Sequence, residues 1–133
     1  MIRGLIPVLL LAALAACGGV TDPSNNQNQT FNGSIDPAST SQPQFFNASK
    51  SGEITVSVTA MNPTLPSGTF FTVAWGQAVS NQCLLNLGAN ALTVVGATAL
   101  SSAITPGQYC VAIQDTYAAF KTTEQYSLTV SHP

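Results

Sequence analysis

Basic residues are scarce in this chain, and their scarcity excludes one large class of partner. The 133 residues include three Lys and Arg against five Asp and Glu, and the formal net charge is −2. A protein that binds nucleic acid neutralises phosphates with many Lys and Arg side chains. We therefore expect no nucleic-acid partner, and a surface that depends on Ser, Thr, Asn and Gln for its solubility.

Residue types that perform catalysis are also scarce. A Ser-His-Asp or Cys-His arrangement requires a histidine that the fold holds in place. The single histidine, His132, is next to last in the sequence, and we expect it to be frayed. The sequence also has no CxxC pair and no GxxxxGK(S/T) phosphate-binding motif. These absences predict a protein that is not an enzyme and carries no cofactor.

Long hydrophobic runs are missing except near the N-terminus. The stretch Leu5 to Leu14 is apolar, follows the basic Arg3 and precedes small residues, which is the pattern of a secretory signal peptide. The run has about half of the roughly 20 residues that a membrane-spanning helix needs, and it contains Pro7. We predict that residues 1–16 are a signal peptide rather than a transmembrane helix.

The end of this leader resembles the lipobox of bacterial lipoproteins, on the residues Leu14-Ala15-Ala16-Cys17. The resemblance implies cleavage before Cys17 and attachment of a diacylglycerol and a further acyl chain, such as palmitate, to that cysteine. Acyl chains stabilise membrane binding by about 0.8 kcal/mol per buried methylene. Gly18, rather than Asp, follows the cysteine, which in a Gram-negative cell favours the outer membrane of the envelope. An ordinary signal peptide with an incidental cysteine is the alternative.

Residues 17–29 are predicted to form a flexible tether between the lipidated cysteine and a folded domain, residues 30–133. Val20 is the only apolar side chain between Gly18 and Gln29, so the segment cannot form a buried face. A dozen residues reach at most about 40 Å when fully extended. The domain would therefore stay close to the membrane without lying in it.

Cysteine usage predicts a disulfide. If Cys17 carries lipid, Cys83 and Cys110 remain, and an exported chain with two remaining cysteines most often pairs them. Closing that loop would stabilise the fold by about 3 to 4 kcal/mol. A metal pair or a redox pair is the alternative, but the sequence offers no companion ligands in a recognisable spacing.

The rest of the chain consists of short runs in which apolar and polar residues alternate, separated by Gly, Pro, Asn and Ser. Alternation with period two is typical of a strand that is buried on one face. The predicted strands are Thr30–Ile35, Gln44–Ala48, Glu53–Met61, Phe70–Trp75, Gln82–Leu87, Ala91–Ile104 (broken at Gly96, or in part helical), Tyr109–Asp115 and Glu124–Ser131. This pattern predicts an all-β protein, an antiparallel β-sandwich of seven to eight strands, with a closed barrel as the alternative.

Four of these stretches, in this order, resemble the bacterial pre-peptidase C-terminal (PPC) domain. They are Phe31–Ile35, Phe45–Val56, Ile104–Val111 and Tyr126–Val130, and the resemblance extends over Thr30 to Pro133. It implies a jelly-roll-like sandwich, found as an appendage of secreted enzymes or as a free-standing module of exported proteins. No catalytic domain precedes the matched stretch in this sequence, so the appended setting does not transfer.

Three aromatic residues are candidates for ligand binding. Trp75, Tyr117 and Phe120 could form a platform for a sugar ring, as the aromatic residues of sandwich modules often do. Trp75 shares a strand face with Phe71 and Val73, which favours a core position. Tyr117 and Phe120 lie in the loop 115–123, although loop aromatics often fold back over the open end of a sandwich.

Asp115 and Glu124 bracket the connection between the last two predicted strands. Together with backbone carbonyl groups they could supply hard oxygen ligands to a calcium ion, although a solvated loop is the commoner arrangement. The sequence thus supports two functions. The first is a lipid-anchored, non-enzymatic interaction or envelope-structural module with a protein or glycan partner in the cell envelope. The alternative is a carbohydrate-binding module that uses the loop aromatics and a calcium site.

Overall fold

The alternating runs form strands throughout the folded part of the chain. The computed structural model describes residues 25–85 and 90–133, so the predicted leader, Cys17 and most of the tether lie outside the described residues. Within these residues nine strands are formed: β1 (Gln27–Ile35), β2 (Gln44–Ala48), β3 (Gly52–Asn62), β4 (Phe71–Val79), β5 (Gln82–Leu84), β6 (Asn90–Thr93), β7 (Thr98–Ile104), β8 (Gly107–Gln114) and β9 (Glu124–His132). No helix in the described part of the chain is long and apolar enough to cross a membrane.

The strands form two antiparallel sheets that pack face to face. One sheet has the order β1-β9-β3-β7, and the other has the order β2-β8-β4, with β5 and β6 following one another along the far edge of β4. Strands pair from the two ends of the chain inward (β1 with β9, β2 with β8, β3 with β7), and successive pairs alternate between the sheets. This is the jelly-roll order. The predicted sandwich is confirmed, with nine strands rather than seven or eight because the stretch 91–104 divides at Gly96 into β6 and β7.

The core lies between the sheets and is filled by every second residue of the long strands. The largest fully buried side chains of this core are Ile35, Ile54, Val56, Val58, Phe71, Val73, Val111, Ile113, Leu128 and Val130. Burying an aliphatic or aromatic side chain of this size stabilises a fold by about 1.5 to 3 kcal/mol. In β8, Tyr109, Val111 and Ile113 belong to this core, as their alternation predicts, whereas Cys110 and Ala112 are buried on the other face of the strand.

The alternation of β3 breaks at one position. Ile54, Val56 and Val58 face the core as predicted, but Ala60 is exposed and Met61 is buried. The reason is a bulge: Val58 lies opposite Leu128 and Ala60 opposite Ser127, so one extra residue, Thr59, is inserted. A bulge reverses the inward and outward phase of the residues that follow it.

Residues 76–81 lie between two of the predicted strands and are therefore expected to form a loop, but most of them extend β4. The strand continues to Val79, and Ser80 and Asn81 form a two-residue turn into β5 with φ values of 50° and 62°. Two successive residues with positive φ are the geometry of the tight hairpin turns that match strand twist. Gly76 lies within the strand, where its lack of a side chain admits the backbone of Leu84.

The disulfide between Cys83 and Cys110 joins the two strands that flank β4. In a flat sheet those flanking strands would lie about 9.6 Å apart, because neighbouring strands are about 4.8 Å apart. The Cα atoms of the two cysteines are only 5.7 Å apart, so β5 curls over the outer face of β4. Gly76 leaves the space in which the backbone of Leu84 crosses that face. The predicted pairing of the cysteines is confirmed.

The first strand begins earlier than the sequence predicts. It starts at Gln27 rather than Thr30, so the last three residues of the predicted tether belong to the sheet. Their side chains are polar, but their backbones pair with β9 from Val130 to His132. Residues 27–29 therefore show no apolar alternation in the sequence, because their side chains on this edge strand face solvent and only their backbones join the sheet.

Candidate functional site

Asp115 is buried and is bonded by three backbone amides. Its carboxylate accepts hydrogen bonds from the N–H groups of Ala38 (2.9 Å), Ala119 (2.8 Å) and Phe120 (3.1 Å). Its own N–H donates to the carbonyl oxygen of Ser39 at 2.9 Å. Asp115 therefore fastens the loop after β1 to the loop after β8. The expectation of a solvated carboxylate is wrong here, because the side chain is only 3% exposed.

Glu124 lies at the start of β9, opposite Ile35 of β1. It is also 3% exposed, and its Oε2 atom has no hydrogen-bond partner within the described part of the chain. Removal from water disfavours the charged form, so burial raises the pKa of the Glu124 carboxyl. Among residues 25–85 and 90–133, no three His, Cys, Asp or Glu side chains lie close enough together to hold a metal ion.

The three aromatic candidates do not form one platform. Phe120 is 2% exposed and packs against Phe71 at the start of β4, with ring centroids 6.0 Å apart. Trp75 is half-buried four residues further along β4, about 13 Å away at the rise of a strand. Tyr117 is 65% exposed in the loop after β8. Phe120 is thus a core residue, and Tyr117 is the candidate whose ring faces solvent.

His132, predicted to be frayed, is held firmly. It is the last residue of β9, is 2% exposed, and its ring lies 5.1 Å from that of Phe46, centroid to centroid. Its Nε2 atom is 2.9 Å from Oε1 of Gln29. The end of the chain is fixed as well, since the carbonyl oxygen of Pro133 accepts a bond from the N–H of Ser49 at 3.3 Å. The histidine therefore has a structural role that a single sequence does not reveal.

A cleft of about 290 Å³ opens between the sheets beside Trp75. Tyr109 forms one wall, with its ring centroid 5.7 Å from that of Trp75, and its hydroxyl donates to the carbonyl oxygen of Thr105 at 2.7 Å. The buried Nε1 of Trp75 has no acceptor among the described residues. A smaller cleft of about 230 Å³ lies among loop residues 65–69, Val94 and Val95.

A third depression lies beside the edge strand β2 of the five-stranded sheet and also includes Gln29 of β1 from the other sheet; we call it the amide groove. It has a volume of about 330 Å³ and is lined by Gln29, Phe45, Phe46, Asn47, Ala78, Asn81 and Gln108. Four of these seven residues carry side-chain amides and none is charged. Phe45 is 42% exposed, whereas its neighbour Phe46 is buried in the core.

Neighbouring strands position the groove. Asn47 of β2 lies directly opposite Gln108 of β8, and Phe45 lies opposite Cys110 one step along the same face. Asn81 belongs to the tight turn after β4. Sequence reasoning missed this site because its residues come from separate stretches of the chain. The one indication in the sequence was the pair Phe45–Phe46: adjacent residues of a strand face opposite sides, so one of the two rings had to lie outside the core.

Comparisons with known proteins add no relative. The chain matches no known protein family, no curated protein and no solved structure.

Proposed function

We propose that this protein is a lipid-anchored, non-enzymatic module of the bacterial cell envelope whose β-sandwich serves recognition or envelope structure. One observation carries the non-enzymatic part. Asp115 and His132, two side chains that could otherwise perform acid–base chemistry, are both engaged in contacts within the fold. Asp115 accepts three backbone N–H groups, and His132 is buried between Phe46 and Gln29. A catalytic group must instead reach a substrate proton.

The anchor is proposed from the sequence Leu14-Ala15-Ala16-Cys17. About ten residues separate Cys17 from the start of β1 at Gln27, and they reach at most about 35 Å. A lipid on Cys17 would thus hold the sandwich within one domain diameter of the bilayer. A tether of this length suits a module that binds a neighbouring component of the envelope.

A PPC-like identity is part of the same proposal, and the contact between two of its motifs supports it. Gly33 of the first motif lies opposite Tyr126 of the last. A Cβ atom on residue 33 would stand 2.5 Å from the Tyr126 hydroxyl oxygen, and that oxygen also accepts a hydrogen bond from Nε2 of Gln44 at 3.0 Å. A side chain at position 33 would therefore displace the Tyr126 ring from its present position, which gives the pairing of these two motifs a physical reason.

Cell fractionation with palmitate labelling tests the anchor. Expressed in a Gram-negative host, the full chain should label with palmitate and sediment with the membranes. Cys17→Ser should abolish labelling and release the chain from the membrane fraction, whereas the control Ser24→Ala, outside the motif, should behave like the parent. Membrane residence of the Cys17→Ser variant would overturn the proposed anchor.

A further inference from the structure

We propose that the amide groove binds a neutral glycan, with Phe45 as the stacking surface and Asn47, Gln108 and Asn81 as the hydrogen-bonding groups. The inference rests on the proposed function, since it gives that non-enzymatic module a class of ligand. It also moves the carbohydrate site away from Trp75, Tyr117 and Phe120, of which Phe120 is buried in the core and Trp75 is half-buried.

The hydrogen-bonding chemistry of the lining selects a neutral, hydroxyl-rich ligand. Each side-chain amide has a carbonyl oxygen that accepts and an NH₂ group that donates. A sugar hydroxyl likewise donates one hydrogen bond and accepts others, so it can pair with either end of an amide. A charged ligand would need an opposite charge in order to offset its desolvation. None of the seven described lining residues supplies one.

Phe45 provides the apolar part of the site. Its ring is 42% exposed on the outer face, beside polar groups, although a Phe in an edge strand is ordinarily better placed in the core. Sugars present C–H-rich faces that pack on aromatic rings while their hydroxyls bond to polar groups at the rim. A ring flanked by amides matches both surfaces of such a ligand, as ligand sites combine apolar walls with a few placed polar groups.

The groove is built before any ligand arrives. The antiparallel register of β2 and β8 fixes the backbones of Asn47 and Gln108 opposite one another. Gln29 is held by the contact of its Oε1 with Nε2 of the buried His132, at 2.9 Å. Because paired strands already order the backbone, only the side chains remain to be ordered when a ligand binds. The volume of about 330 Å³ lies at the lower end of the range of about 300–1,000 Å³ for ligand sites, which fits a short segment of a glycan chain.

Calorimetric titration of the full chain, solubilised in a detergent without a sugar head group, tests the inference. The probes are hexasaccharides of glucose and of N-acetylglucosamine, with an oligogalacturonate of similar length as the charged comparison. We expect at least one neutral hexasaccharide to bind and the oligogalacturonate to bind at least about tenfold more weakly. No binding of either neutral probe, or equal binding of the charged one, would overturn the proposal.

Variants locate the site. Phe45→Ala should weaken binding at least about tenfold and Gln108→Ala about three- to tenfold, whereas Phe45→Tyr, which keeps a ring, should bind like the parent. Tyr117→Ala is the matched control, because it removes an exposed ring outside the groove and should change nothing. A loss with Tyr117→Ala equal to that with Phe45→Ala would contradict the assignment. Thermal melting by circular dichroism shows that each variant is folded. Failure of these titrations would leave the lipid anchor, which fractionation tests, unaffected.

Discussion

Leu84 crosses the outer face of β4 directly above Gly76. A Cβ atom on residue 76 would stand 2.7 Å from the carbonyl carbon of Leu84, and 3.0 Å from the Cα atom of Leu85. These are backbone atoms, which cannot turn aside as a side chain can. The curl of β5 over the sheet, and with it the approach of Cys83 to Cys110, thus depends on the absence of a side chain at this one position.

We expect Gly76→Ala to lower the free energy of unfolding by about 3 kcal/mol, because the β5 backbone must move to admit the new methyl group. Gly107→Ala is the matched control, since its Cβ would meet the Tyr109 ring at 3.7 Å, an ordinary contact, and its effect should stay within about 0.5 kcal/mol. Urea unfolding measures both. Equal stability of the two variants would contradict the close approach at Gly76.

Removal of the disulfide should have an effect that depends on redox conditions. Cys110→Ser should lower the free energy of unfolding by about 3 to 4 kcal/mol under oxidising conditions, because the loop between positions 83 and 110 is no longer closed. In excess reductant the parent protein loses the same bond, so the difference should shrink sharply. Thermal melting with and without dithiothreitol checks this. A difference that does not change with reductant would refute the contribution of the bond.

Asp115→Asn should destabilise the fold by about 2 to 4 kcal/mol. The amide NH₂ of Asn would face at least one of the three backbone N–H groups that the carboxylate now accepts. Asp36→Asn is the control: Asp36 is exposed and accepts from the hydroxyl of Thr123, which can rotate, so we expect a change within about 1 kcal/mol.

Amide hydrogen exchange separates local from global loss in the Asp115→Asn variant. The amides of Ala38, Ala119 and Phe120 should exchange faster than in the parent, beyond any acceleration of the core strands. Unchanged protection at those three amides would show that Asp115 does not fasten the loops together.

Ionisation of Glu124 should lower the free energy of unfolding as the pH rises. Because burial raises the pKa of its carboxyl above the ordinary value of 4.5, the folded state holds a proton that the unfolded state has released. Stability is therefore lost as the pH rises from about 4.5 through the higher pKa of the folded state. Glu124→Gln cannot ionise, so its stability relative to the parent should increase between pH 4 and pH 7 in urea unfolding. A relative stability that stays constant or decreases would contradict this assignment.

The sequence predicted the parts of the fold that follow from local alternation. The alternating apolar residues of β3 and β8 face the core as predicted: Ile54, Val56 and Val58 in β3, and Tyr109, Val111 and Ile113 in β8. Counting cysteines predicted the bond between Cys83 and Cys110. These predictions needed only the period of a strand and the chemistry of exported thiols.

The features that the sequence did not reveal depend on contacts between distant strands. The bulge at Thr59 becomes visible only through the register of β3 on β9. His132 is buried because Phe46 and Gln29 surround it, although it stands next to the end of the chain. The amide groove likewise depends on strand pairing. Asn47 and Gln108 are far apart in sequence and become neighbours only when β2 pairs with β8.

The lipid anchor is the central claim about how this protein works, and an intact mass measurement tests it most directly. The chain extracted from membranes should lack residues 1–16 and carry the added mass of a diacylglycerol and an acyl chain on Cys17. A membrane-extracted chain that retains its leader, or begins at an unmodified Cys17, would contradict the claim.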